Sequence, residues 1–295
     1  MAADPTVLFC VGATKAGTSW LHRYLSDHPD CHMRSIKELH YFDALDDDRI
    51  ASQIKQNLSA QQDLSTRLEG ANNVRTANIL RQLGDREHWL EVLQPEVEDV
   101  PAYLDYLTGS IGSETLVGDL TPAYSLLSQA RLNIMANLTP DTKFVYLLRD
   151  PITRLWSHIR MIAERRSDSG QVERRRADRI FDRVLDGQER QISQRSDYRA
   201  AIEKLRSAAD PARLLIVFYE DLFNGDGVRQ ICDFLGISRI AGDQNRRVHA
   251  GQPLAMHNHQ RNRARVWLAE QYDYIRNVIG NMPATWQYDL AKVQA

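Results

Sequence analysis

Cysteine is scarce in this chain, and the three present, Cys10, Cys31 and Cys232, are odd in number and far apart. That excludes a disulfide framework as the source of stability and makes a reducing compartment, the cytoplasm, the expected setting. Long apolar runs are missing too. Nothing approaches the ~18–20 residues of a membrane span, and the first residues lack the basic flank and apolar centre of a signal peptide. Net charge is small, −2 at pH 7, so the field of the whole molecule implies no nucleic acid or other polyanion as partner. Linkers rich in Gly, Ser and Pro, internal repeats and low-complexity tracts do not occur. With 43% hydrophobic residues in 295, the chain has the material for one substantial core and reads as a single domain, 1–295.

What is present begins at residues 7–21, VLFCVGATKAGTSWL. The apolar run 7–11 reads as a buried strand, and an amphipathic helix is predicted from Thr18. The small-residue turn between them is of the kind that cradles phosphate, because free amides and the positive end of the helix dipole face the anion. Gly12 and Gly17 have the spacing of a nucleotide-triphosphate loop, but Thr18 stands where that loop has its lysine. The lysine here is Lys15, inside the turn, which suggests a different phosphoester.

A second stretch, residues 143–161, reads KFVYLLRDPITRLWSHIRM. Residues 144–148 predict another buried strand with Arg149 at its C-terminal end, and Pro151 can open a helix on which Ser157 lies two turns in. Ligands of open α/β sheets bind where strands end. Arg149 and Ser157 are therefore expected to converge on a second anionic group, which the planar guanidinium grips bidentately.

Together these segments resemble the sulfotransferases that use 3′-phosphoadenosine 5′-phosphosulfate (PAPS). Lys15-Ala16-Gly17-Thr18-Ser19-Trp20 is similar to that family's 5′-phosphosulfate loop, and Arg149-Asp150-Pro151-x-x-Arg154-x-x-Ser157 to its 3′-phosphate motif, in the same order. Residues 37–43, KELHYFD, resemble the Glu-x-His-Phe-Phe-Asp signature of the heparan sulfate (glycan) type. Residues 118–124, GDLTPAY, resemble its Gly-Glu-Lys-Thr-Pro-x-Tyr stretch, with Leu120 in the place of a lysine. Ser196-Asp197-Tyr198 is similar to its Gly-x-Tyr, near the nucleotide.

The resemblance implies a P-loop-like, three-layer α/β fold with a central, mostly parallel sheet flanked by helices. It also implies PAPS as donor, PAP (3′-phosphoadenosine 5′-phosphate) as product, no metal, and a soluble bacterial enzyme acting on a small molecule or glycan. Carried over by position, Glu38 is the base for the acceptor hydroxyl, a role worth roughly 10²–10⁴-fold. His40 and Lys15 assist it catalytically, and residues 15–20, Arg149, Ser157 and Tyr198 bind the nucleotide. Two other classes remain compatible with the residues. One is a P-loop kinase or nucleoside triphosphatase using Asp119 or Asp150 as its second acid. The other is a silent PAP-binding protein, made plausible by Leu120.

Residues 46–115 have mostly helical periodicity and are expected to be an insert shaping the acceptor site, in which Trp89 and Tyr103 are core or sugar platforms. Residues 160–183 interleave arginines with acids at helical spacing, the pattern of a solvated, salt-bridged face. A segment around 240–295 is expected to cover the nucleotide, with Arg246-Arg247-Val248-His249-Ala250-Gly251-Gln252 as its basic loop. His249, His257 and His259 lack the spacing and companions of a zinc site.

Overall fold

The computed structural model describes residues 4–242 and 252–286. Five strands form one sheet in the order β2-β3-β1-β4-β5, every neighbouring pair parallel. They are β1 (Thr6–Gly12), β2 (Cys31–His32), β3 (Leu116–Asp119), β4 (Thr142–Leu148) and β5 (Leu214–Phe218). The all-parallel arrangement explains their composition. A sheet covered by helices on both faces buries each strand twice, so its strands are apolar runs and do not alternate. Every residue of β1 is buried, and Phe9 packs against Phe42, Tyr124 and Phe144. All three cysteines are buried and unpaired.

The strand order moves to one side of β1 for β2 and β3 and to the other for β4 and β5, so the crevice between the C-terminal ends of β1 and β4 lies where the winding reverses. Such a reversal is where open α/β sheets hold ligands. Two glycines adapt β1 to that position. Opposite Gly12, a Cβ would lie 2.3 Å from the Tyr146 ring, and at Gly17, which has φ +95°, 2.9 Å from the Tyr219 ring. Gly17 caps α1 (Thr18–Ser26) in a left-handed conformation that glycine alone adopts freely.

Between β2 and β3 lie α2 (Tyr41–Asp46), α3 (Ile50–Leu68), α4 (Asn73–Leu93) and α5 (Val100–Thr108). Apolar residues at helical spacing in 46–115 thus do form helices. Trp89 and Tyr103 are wholly buried; Tyr103 stacks on Tyr41, and Trp89 meets Tyr41 edge-on and packs tilted against Tyr106; they are core, not sugar platforms. Leu58 of α3 is half exposed.

After β3 come α6 (Gln129–Ala136), α7 (Pro151–Arg165), α8 (Arg174–Leu185), α9 (Arg190–Gln194) and α10 (Tyr198–Ala208). Then follow α11 (Asp226–Leu235), α12 (Asn258–Trp267) and α13 (Ala269–Tyr274). Asp150 caps α7 through the Thr153 amide at 2.7 Å, with Pro151 in the first turn. Gly236 ends α11 left-handed at φ +75°. Of the basic loop expected to cover the nucleotide, residues 246–251 lie outside the described residues. Among the described residues no helix is long and apolar enough to cross a membrane.

Candidate functional site

The turn after β1 and the residue after β4 are tied together. Arg149 Nη1 donates to the Lys15 carbonyl at 3.0 Å, and its guanidinium lies 4.5 Å over the Tyr219 ring. The Tyr198 hydroxyl donates to the Arg149 carbonyl at 2.7 Å. Tyr198 is wholly buried; its hydroxyl holds the Arg149 main chain. Inside the turn, Ala16 turns its methyl into the core and donates its amide to the Ala13 carbonyl at 3.0 Å. Lys15 is itself left-handed, at φ +70°. The first-turn amides of Thr18 and Ser19 are those a helix leaves unpaired, and no acid sits in that turn to occupy them. Trp20 stacks on Tyr24 at 5.6 Å. Ser157 is buried on α7.

Charge is concentrated here without compensation. Along α7 and α8 four arginines pair with acids: Arg166 and Arg183 with Glu189, Arg174 with Asp178, Arg176 with Glu173. That is the solvated, salt-bridged face expected of residues 160–183. The inner cations differ. Among the described residues no carboxylate pairs with Lys15, Arg149, Arg154, Arg160 or Arg195. Arg154 is wholly buried, reaching only Ser196 Oγ and the Thr14 carbonyl, and its Nε has no partner among the described residues. Arg160 donates to the Gln252 carbonyl at 2.8 Å. Burial, together with Arg160, Arg149 and Arg165, pushes the Lys15 ammonium below its ordinary pKa. Buried cations without anions are costly, and an anionic ligand is the natural way to offset that cost.

On the other side of the crevice, residues 33–43 run from β2 into α2. Asp85 of α4 accepts from Arg34 at 2.9 Å and from the Ser35 amide at 2.7 Å, so the helical insert anchors this segment. Glu38 pairs with Lys37 and lies 3.5 Å from His40 Nε2, while His40 Nδ1 lies 2.8 Å from Asp43. Burial raises the Glu38 carboxyl, but contacts with His40 and Lys37 outweigh it and hold the group at about 2. Burial lowers the His40 imidazole, but Asp43 and Glu38 outweigh it and raise it to about 9. At neutral pH the pair is therefore a carboxylate beside an imidazolium. Glu38 keeps 41% of its side chain exposed, so this ion pair opens to solvent. Leu120 is wholly buried.

The structure thus ties Arg149 to Lys15 and links Glu38 to His40. Asp119 and Asp150 are both engaged by hydroxyls, Asp119 by Thr121, Tyr124 and Tyr103 and Asp150 by Tyr272. Arg154 lies in the stretch that resembles the 3′-phosphate motif, whereas Arg160 and Arg195 were not expected from the sequence as members of the cationic cluster. Arg160 was obscured by the arginine-rich stretch that it opens, in which Arg166, Arg174, Arg176 and Arg183 pair with acids.

Comparison with known proteins gives three findings. A family model described as "Sulfotransferase family" matches residues 5–241. No curated protein matches the chain. Among solved structures, a sulfotransferase from Alicyclobacillus acidocaldarius is similar over 97% of this chain and 100% of its own, at TM-score 0.64 and 21% identity. The sulfotransferase domain of the curacin biosynthetic pathway covers 100% of this chain and 99% of its own, at TM-score 0.51 and 16% identity. The sulfotransferase domain of the Synechococcus PCC 7002 olefin synthase covers 92% and 96%, at TM-score 0.50 and 17% identity. At these identities the structures speak to fold: a parallel sheet flanked by helices.

Proposed function

The chain belongs to the sulfotransferase family, and from that premise we propose that it moves a sulfuryl group from PAPS to a hydroxyl or amine of a carbohydrate or carbohydrate-containing metabolite. The observation that carries the donor assignment is the set of cations without acids around the crevice between β1 and β4. PAPS presents two anionic ends, a 5′-phosphosulfate and a 3′-phosphate. In this reading the amides of residues 15–19 and the Lys15 ammonium receive the first, and Arg149 and Ser157 the second. Arg149 is already held by the Lys15 carbonyl, the Tyr219 ring and Tyr198, so little of its freedom is left to lose on binding.

The acceptor approaches from the side of residues 37–43. Glu38 takes the proton of the attacking hydroxyl, a new bond forms from that oxygen to sulfur, and the bond from sulfur to the bridging phosphate oxygen breaks. The leaving phosphate gains negative charge, which Lys15 and the α1 N-terminus stabilise; preorganised electrostatic stabilisation of this kind commonly contributes more to such transfers than any other single effect. With the carboxyl held at about 2 by His40 and Lys37, the free protein's Glu38 is ionised but a weak base. The resemblance of the KELHYFD segment to the glycan-type signature supports a glycan-type acceptor.

The test is transfer of labelled sulfate from PAPS to a panel of carbohydrates, glycolipids and phenols. Glu38→Gln is expected to lower kcat by about 10²–10⁴-fold while PAP affinity stays within twofold of wild type. Near-normal turnover removes Glu38 from the role of base, and transfer confined to phenols refutes the carbohydrate assignment.

A further inference from the structure

Asp119, at the C-terminal end of β3, is a charged residue in an apolar strand, 1% exposed, with no cation paired to it among the described residues. Three hydroxyls solvate it. Thr121 donates to Oδ1 at 2.6 Å, and Tyr124 and Tyr103 donate to Oδ2 at 2.7 and 3.0 Å. The direction of these bonds is fixed by chemistry, because an ionised carboxylate only accepts and each hydroxyl has a single hydrogen. With those hydrogens committed, Thr121 and Tyr124 have only lone pairs to offer their other neighbours. Those neighbours are main-chain amides. Leu39 and His40 donate to Thr121 Oγ1 at 3.0 and 3.4 Å, and Tyr41 donates to the Tyr124 hydroxyl at 3.0 Å.

Three consecutive amides of the segment bearing Glu38 and His40 are thus captured by two hydroxyls that one buried carboxylate orients. The captured turn includes His40 at φ +54°, a left-handed conformation uncommon for a residue with a Cβ. We propose that Asp119, acting through Thr121 and Tyr124, is a positioning residue that fixes this turn and thereby sets Glu38 and His40 for proton transfer at the acceptor. The proposal rests on Glu38 facing the acceptor. Burial raises the Asp119 carboxyl to about 6 against the pull of the three hydroxyls, so at neutral pH it is the ionised acceptor that the relay needs.

The His40 imidazole reports the geometry directly. Its elevated pKa comes from Asp43 at 2.8 Å and Glu38 at 3.5 Å. Also acting on it are Lys37 on Glu38, Arg49 on Asp43 at 3.3 Å and the Asp119 charge. Asp119→Asn would change that charge as well as the turn, so the discriminating variant is Thr121→Val, which keeps the shape and the charge and removes the hydroxyl. In the full-length protein, His40 is titrated by NMR, its resonance assigned by its loss in His40→Gln, alongside kcat with PAPS and calorimetry with PAP.

Thr121→Val is expected to move the His40 midpoint from about 9 toward the ordinary 6.5, to lower kcat tenfold or more, and to leave PAP affinity within twofold. Thr121→Ser is expected to restore both. Should Thr121→Val fail to fold, Tyr124→Phe makes the same comparison through the Tyr41 amide. A folded variant whose His40 titrates as in wild type overturns the proposal, whatever its activity. If the wild-type chain neither binds PAP nor transfers sulfate, the functional reading fails, and the NMR titration still decides whether the relay sets the turn.

Discussion

Replacing Arg149 with alanine separates ligand binding from stability, because this cation lacks an acidic partner among the described residues. What it loses within the free protein is one hydrogen bond to the Lys15 carbonyl at 3.0 Å and a stacking contact over Tyr219 at 4.5 Å. These are worth about 1 kcal/mol and about 0.5–1 kcal/mol respectively. Against that stands relief of repulsion from Lys15 and Arg160, which Arg149 helps to impose. The free variant should therefore unfold within about 1 kcal/mol of wild type in urea. The bound state loses much more, since a hydrogen bond to a charged group contributes about 1.5–3 kcal/mol, or roughly 10–150-fold in Kd. Calorimetry with PAP reads this directly. Arg149→Lys, which keeps the charge but not the planar fork, should fall between the two. A Kd within twofold of wild type for Arg149→Ala would refute the assignment of this residue to the 3′-phosphate.

Gly12→Ala places a methyl carbon 2.3 Å from the Tyr146 ring and should cost about 1–3 kcal/mol of stability in urea unfolding, the range of overpacked cores; a loss under about 0.5 kcal/mol would mean that β1 and β4 can part there without penalty. The pH dependence follows from His40. Its folded pKa is raised from 6.5 to about 9, so its contribution to stability is fully present below 6.5 and is lost as pH rises through about 9. Sulfotransfer should hold steady between those values and change with a midpoint near the upper one, and a change centred near 6.5 contradicts the ion pair of His40 with Asp43 and Glu38.

Two strands of the sheet were legible because burial on both faces leaves uninterrupted apolar runs at residues 7–11 and 144–148, each followed by a turn. The β1–α1 turn was legible for a steric reason: Gly12 and Gly17 face aromatic rings that admit no side chain. The two-residue β2, Cys31–His32, was not, since so short a strand has no periodicity. Nor could the sequence separate Trp89 and Tyr103 as core from the same residues as platforms, because an aromatic at helical spacing looks alike in both roles. The cationic cluster was half legible. Arg149 stood out at the end of a strand and Arg154 in the motif that follows it, but no local pattern singles out Arg160 or Arg195. The Asp119 relay depends on hydroxyls 2 and 5 residues away meeting amides some 80 residues earlier, and no local pattern records that.

A nucleotide pocket that reads both a 5′-phosphosulfate and a 3′-phosphate is tested most simply by thermal unfolding with PAP, with ADP and with ATP plus Mg²⁺. A ligand at ~100 times its Kd stabilises the native state by about 2.7 kcal/mol, a shift of a few degrees for a chain of this size. That shift is expected with PAP, together with its loss in Arg149→Ala and little effect of ADP, which lacks the 3′-phosphate. An equal shift with ADP, or a shift only with ATP and Mg²⁺, would contradict a pocket built for PAPS.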